Sequence, residues 1–154
     1  MFKKSIFFTL NPAQTKKAGG FLAEEILKSR PDKKAAVVAL SGELGSGKTT
    51  FLQGFAKKLG IKQRILSPTF VIMRSFKIPK SGQRSFFHID CYRTAGSKDI
   101  LVLGFKEIIN DPNNIIAVEW ADKILDILPE NAIILKFGHI DSNKRRIECS
   151  LKKR

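Results

Sequence analysis

The sequence predicts an α/β fold in which helices flank a mixed β-sheet with a parallel core. Three observations predict it. Residues 35–40 (AAVVAL) are a short continuous apolar run, the pattern of a strand buried on both faces of a parallel sheet. A glycine-rich segment, Gly42-Glu43-Leu44-Gly45-Ser46-Gly47-Lys48-Thr49, follows at once. Residues 49–59 then repeat apolar side chains at Phe51, Leu52, Phe55, Ala56 and Leu59, one helical face, with Gly60 placed to end it. Strand, glycine loop and helix in that order are the setting of a phosphate-binding loop, so the fold is expected to be P-loop NTPase-like.

The other elements follow from local patterns. Residues 5–10 read as a first strand. A helix follows, with Asn11 as N-cap, Pro12 at its first position and Gln14 closing a capping box. Ala18, Leu22 and Ile26 recur at helical spacing, and the helix is expected to end near Arg30-Pro31. Gly19-Gly20 inside it costs roughly 1 kcal/mol per residue relative to alanine, with no local reason. Residues 71–78 and 84–90 read as strands around the turn Pro79-Lys80-Ser81-Gly82. Ser97 is placed to cap a short helix that Gly104 interrupts, with a second turn reaching Ile109. Residues 115–119 are another apolar strand, and 132–137 with 146–151 form a terminal hairpin around Asp141-Ser142-Asn143.

The 154 residues suit one domain, 1–154, long enough to bury a full core. Two cysteines, Cys91 and Cys149, form no CxxC pair, which argues against a cysteine zinc site and for reduced thiols in a cytoplasmic protein. The apolar run after Lys3-Lys4 stops at Leu10, before Asn11-Pro12, too short for a secretory signal core. No segment approaches the ~20 apolar residues of a membrane span. The net charge of +14 fits a polyanionic partner such as RNA, contacted directly or indirectly, and equally a lysine-rich proteome. The basic residues are spread along the chain except at the C-terminus, with Lys144, Arg145, Arg146 and then Lys152, Lys153, Arg154.

The glycine segment matches G-x-x-x-x-G-K-[ST] in full. Gly42 and Gly47 admit backbone angles that let a loop curl around an anion, and Gly45 keeps it slim. Loop N–H groups and the N-terminus of the next helix then favour phosphate. Lys48 supplies an ammonium to the β- and γ-phosphates, and the Thr49 hydroxyl is a hard oxygen ligand for Mg²⁺. Glu43, Leu44, Ser46 and Thr50 complete the nucleotide-binding segment. ATP is the expected substrate and Mg²⁺ the expected cofactor.

Hydrolysis also needs a carboxylate near the metal. Asp90 ends the run FFHID and Glu119 ends IIAVE, so both are expected at the carboxyl ends of strands, where ligands gather in open α/β sheets. Strand order decides which lies nearer the metal, and sequence leaves it open. No N-K-x-D and no D-x-x-G segment follows the loop, which argues against a GTPase. A small-molecule kinase remains open, with Arg74, Arg84 and Arg93 as lid candidates, as does a nucleotide-gated binding module without catalysis. His88 and His139 read as strand residues without assigned chemistry.

Four segments in order, GELGSGKTT at 42–50, SPTF at 67–70, HIDCYR at 88–93 and VEW at 118–120, resemble the TsaE family, over nearly the whole chain from about Leu10 to about Ser150. The resemblance implies a weak ATPase that acts with the TsaB–TsaD pair in threonylcarbamoyl modification of the tRNA adenosine next to the anticodon. It implies that Lys48 and Thr49 bind phosphate and Mg²⁺, that Thr69 lies in a switch-like loop near the γ-phosphate, and that Asp90 and Glu119 are the acidic site residues. Trp120 is implied beside the nucleotide, with stacking on adenine open to it, and Tyr92 and Arg93 belong to the same box as contacts to phosphate or partner. Ile89 and Cys91 stand where the family more often has Phe and Leu, apolar replacements at alternating positions that keep the packing.

Overall fold

The structure is a computed structural model and describes residues 4–29, 32–66, 71–82 and 84–152. Thr69 and the rest of the SPTF segment, and the Arg30-Pro31 helix boundary, lie outside the described residues.

Seven strands form one sheet: β1 (Ser5–Thr9), β2 (Ala36–Gly42), β3 (Met73–Lys77), β4 (Ser85–Asp90), β5 (Asn114–Glu119), β6 (Ile133–His139) and β7 (Arg145–Leu151). Their order is β1-β7-β6-β2-β5-β4-β3. β6, β2, β5 and β4 run parallel, and the pairs β1–β7, β6–β7 and β3–β4 are antiparallel. This is the expected mixed sheet with a parallel core. All six residues of β5 are buried, as a strand covered on both faces requires.

Helices α1 (Pro12–Lys28) and α2 (Lys48–Lys58) cover one face. Phe51, Leu52 and Phe55 of α2 pack there with Val38, Leu40, Phe86, Ile115 and Phe137. The other face is covered by α3 (Ser97–Leu101), α4 (Phe105–Ile109) and a 3-10 segment (Ala121–Ile127). Val37, Ala39, Ile89, Ile116 and Val118 meet Ile100, Phe105 and Ile124 on that side.

Helix ends are set as the sequence predicts, with two differences. Asn11 Oδ1 accepts from Gln14 N at 2.9 Å, but the Gln14 side chain accepts from Leu10 N–H, one residue before the cap. Ser97 does not cap α3. Gly96 takes the cap position, and the Ser97 hydroxyl bonds the Asp126 carboxylate of the 3-10 segment. A nearby acceptor of full charge is the stronger partner for that hydroxyl. At the end of α2, Ile61 N–H bonds Ala56 O and Gly60 N–H bonds Lys57 O, a Schellman closure.

Packing of α1 on α2 supplies the reason for glycine inside α1. A Cβ on Gly19 would lie 2.0 Å from Phe51 O, and one on Gly54 would lie 1.8 Å from Lys16 O. The two helix backbones touch where each presents a glycine. Gly20 is different, since its Cβ would meet nothing closer than 3.7 Å.

Cys91 and Cys149 are free and buried, on opposite faces of the sheet, so they cannot pair. Burial pushes the Cys91 thiol up to about 12 and the Cys149 thiol up to about 11. Among the described residues no helix is long and apolar enough to cross a membrane.

Gly54→Ala is expected to lower stability by about 3 kcal/mol, the upper range for overpacking a fitted contact. Gly20→Ala is expected to be neutral or to stabilise by up to about 1 kcal/mol. Denaturant unfolding of the two variants reads both. The native thiols are expected to resist alkylation at pH 8 and to react fully in denaturant. They keep their protons above the ordinary value of 9.0, so the folded state binds more protons than the unfolded one there. Stability is therefore expected to fall as pH rises from 9.0 toward about 11 and about 12, measured by urea midpoints across that range.

Candidate functional site

The site is assembled at the carboxyl ends of β2, β5 and β4. β2 runs into Gly42, at φ +145°, where a Cβ would come within 2.6 Å of Phe137 O. The chain then turns through Glu43, Leu44, Gly45 and Ser46. Gly47, left-handed at φ +102°, starts α2, so Lys48 and Thr49 open the helix with its positive end toward the loop. Leu44 is exposed at the loop tip and Ser46 is buried beneath it. Thr50 follows within the first turn of α2.

Lys48 is buried, and its ammonium is held inside the loop. Nζ donates to Gly42 O at 2.6 Å, Glu43 O at 2.9 Å and Ser46 Oγ at 3.3 Å. Burial pulls its pKa below the ordinary lysine value, while the charges of Glu119, Asp90 and Asp122 act to raise it. An ammonium with three donors turned to neutral oxygens can exchange them for a stronger anionic acceptor.

Pairing of β2 with β5 settles which carboxylate stands closer to the loop. Glu119 is the register partner of Leu40, two residues before Gly42, and Asp90 is the partner of Glu119 one strand further out. Thr49 Oγ1 donates to Glu119 Oε1 at 2.9 Å. The other oxygen, Oε2, meets His88 Nε2 at 2.7 Å. A hydroxyl and a carboxylate oxygen side by side are hard donors of the kind Mg²⁺ accepts when a phosphate and water complete its shell. Among the described residues no group of three or more His, Cys, Asp or Glu could hold a metal alone. Asp90 is buried, and its Oδ1 accepts from Tyr92 N–H at 2.9 Å, shaping the turn after β4.

Trp120 follows Glu119 in a left-handed conformation, φ +56°, which costs about 1 kcal/mol for a residue with a Cβ. Its ring lies 4.4 Å from Lys48 Nζ and 5.0 Å from the ring of Tyr92. The Lys123 ammonium fixes the turn below by donating to Tyr92 O at 2.5 Å and Thr94 O at 3.3 Å. Trp120 therefore covers the ammonium end of the loop, beside the carboxylates. Tyr92 is half exposed at the same rim, and Arg93 is exposed next to it.

The structure brings Lys48, Thr49, Glu119, Asp90, Trp120 and Tyr92 together. It adds two residues that the sequence reading did not assign. His88 is buried against Glu119, and its signal was its place two residues before Asp90, on the same face of β4. Arg145 lies beside the loop, with Nη2 donating to Gly45 O at 3.2 Å and Nη1 to Asp141 O at 2.8 Å. One hundred residues separate Arg145 from Gly45, so no local pattern carries that contact. The described residues of the basic C-terminal cluster point to different partners. Arg145 braces the loop, Arg146 contacts Glu148, and Lys152 donates to Leu128 O.

The family model described as threonylcarbamoyl adenosine biosynthesis protein TsaE matches residues 9–147. A Bacillus subtilis protein named tRNA threonylcarbamoyladenosine biosynthesis protein TsaE is 33% identical over 139 residues, 90% of this chain and 80% of its own. Proteins of the same name from Rickettsia felis (33% over 142 residues, 92% and 75%) and Borreliella burgdorferi (38% over 114 residues, 74% and 80%) are also similar. The crystal structure of Bacillus subtilis YdiB superposes with a TM-score of 0.76 and 29% identity, covering 99% of this chain and 88% of that one.

Trp120 is the chain's one tryptophan, so its emission reports this site alone. Lys48→Ala removes the ammonium 4.4 Å from the ring and is expected to shift or intensify that emission without changing the far-UV circular dichroism. An unchanged spectrum would remove the Lys48–Trp120 contact from solution.

Proposed function

The chain belongs to the TsaE family, and from that premise we propose that it is the ATP-binding and ATP-hydrolysing subunit of tRNA threonylcarbamoyladenosine biosynthesis. The observation that carries the catalytic part is the 2.9 Å bond between Thr49 at the head of α2 and Glu119 at the end of β5, beside the buried Lys48 ammonium. In a P-loop NTPase-like reading, residues 42–50 wrap the phosphates of ATP, and Lys48 leaves its loop carbonyls for the β- and γ-phosphate oxygens. Thr49 and Glu119 would hold Mg²⁺, which would supply positive charge to neutralise charge developing on the phosphates. Asp90, on the neighbouring strand, would orient the attacking water. Thr69 of SPTF is the switch residue of this scheme. Trp120 and Tyr92 shield the phosphate end from bulk water, which strengthens the charge interactions inside.

The partners are TsaB and TsaD, with tRNA reached through them or by direct contact of this basic chain, in the cytoplasm. Hydrolysis resets that assembly and supplies no atoms to the product. A phosphoryl-transfer enzyme acting on a small molecule would use the same phosphate grip but form a phosphorylated product in step with ADP. A non-catalytic switch would bind ATP without turnover.

Steady-state ATP hydrolysis, alone and with TsaB–TsaD, tests the proposal. Slow turnover that the pair raises several-fold is expected. Lys48→Ala is expected to lose about tenfold or more in ATP affinity, the loss of one charge-assisted bond to phosphate. Glu119→Gln is expected to keep ATP binding and lose most turnover. Turnover indifferent to the pair, or an ATP affinity indifferent to Lys48, would overturn it.

A further inference from the structure

We infer that His88 is the positioning residue of this site: its imidazole holds Glu119 in the one orientation that turns an oxygen to Thr49. The inference rests on the reading of Thr49 and Glu119 as the Mg²⁺ end of the site.

Both side chains are almost wholly buried, at 1% and 3% exposed, and His88 Nε2 lies 2.7 Å from Glu119 Oε2. A carboxylate only accepts, so Nε2 carries the hydrogen of this bond. The two oxygens of Glu119 are thereby divided: Oε2 is held from behind by His88, and Oε1 faces Thr49 Oγ1 at 2.9 Å. Strand register explains the reach. His88 stands beside Ala117 and Asp90 beside Glu119 on parallel neighbours, so His88 and Glu119 are a diagonal pair on one face. Ala117, next to the imidazole, is small and leaves room for the ring. His88 does not reach Thr49 in this network. It acts through the carboxylate.

Without that N–H, Oε2 becomes a buried acceptor with its partner removed. The carboxylate then gains by rotating toward whatever donor remains, and Thr49 is the donor at hand. Both oxygens would compete for the hydroxyl, and the division that leaves Oε1 alone facing Thr49 is lost. Residues that orient a metal's own ligands commonly matter about 10- to 100-fold in metal affinity.

The test compares His88→Gln, which keeps an N–H at similar reach, with His88→Leu, which keeps bulk and has no donor. Calorimetric titration of ADP at stepped Mg²⁺ concentrations gives the half-saturating Mg²⁺, and hydrolysis at saturating Mg²⁺ gives kcat and KM. His88→Leu is expected to raise the half-saturating Mg²⁺ about tenfold or more and to lower kcat, with Mg-free ADP affinity unchanged. His88→Gln is expected to restore most of both. If His88→Leu does not fold, His88→Asn takes its place, since its amide is too short to reach Glu119. Wild-type Mg²⁺ dependence in the donor-free variant, or equal defects in the Gln and donor-free variants, would overturn the inference. A wild-type protein whose ADP binding ignores Mg²⁺ would overturn the metal reading of Thr49 and Glu119 itself, a separate and visible result.

Discussion

Glu119 is a carboxylate with 2% of its surface exposed, and a buried carboxylate must have its oxygens met by donors. Much of the site's arrangement answers that constraint. One oxygen takes the Thr49 hydroxyl and the other takes His88, so the start of α2 and the end of β4 are both tied to the end of β5. β5 lies between β2 and β4, an order that brings both donors to its end. Thr49 sits one residue after the lysine whose ammonium closes the loop, so the same network sets the height of the loop above the sheet.

The loop is braced from its other side by packing. α1 and α2 meet at a backbone contact made possible by Gly19 and Gly54, which lets the two helices approach closely. Thr15 of α1 and Arg145 of β7 then lie against Gly47 at the head of α2. Arg145 joins the turn between β6 and β7 to the loop by donating to carbonyls of both. A loop whose ends are held by Glu119, Arg145 and the α1–α2 contact is preorganised.

Membership of the TsaE family and the geometry bear on different parts of the function. The family frames the pathway, tRNA threonylcarbamoyladenosine biosynthesis. The geometry contributes the arrangement of the site: a buried ammonium, a hydroxyl bonded to a carboxylate, and two aromatic rings beside them. Trp120 reaches that position only by adopting a strained left-handed backbone, and the Lys48 and Tyr92 contacts are what offset the strain.

By itself the sequence determined the mixed α/β class and located the glycine loop and the two acids that close strands. Apolar runs, helical spacing and the G-x-x-x-x-G-K-T pattern are local, and local physics decides them: backbone freedom at glycine, burial of strands on both faces, capping by Asn11. It also placed Asp90 and Glu119 at strand ends, because a polar residue closing an apolar run is itself a local signal. Only the tertiary structure decided which of the two lies nearer Thr49, because strand order arises from pairing between segments far apart in the chain, such as Leu40 with Glu119. For the same reason it alone showed why Gly19 is glycine, what His88 touches and where Arg145 points. Each of those depends on a partner brought close in space by the sheet and the helix pair, and spacing along one chain carries no record of that partner.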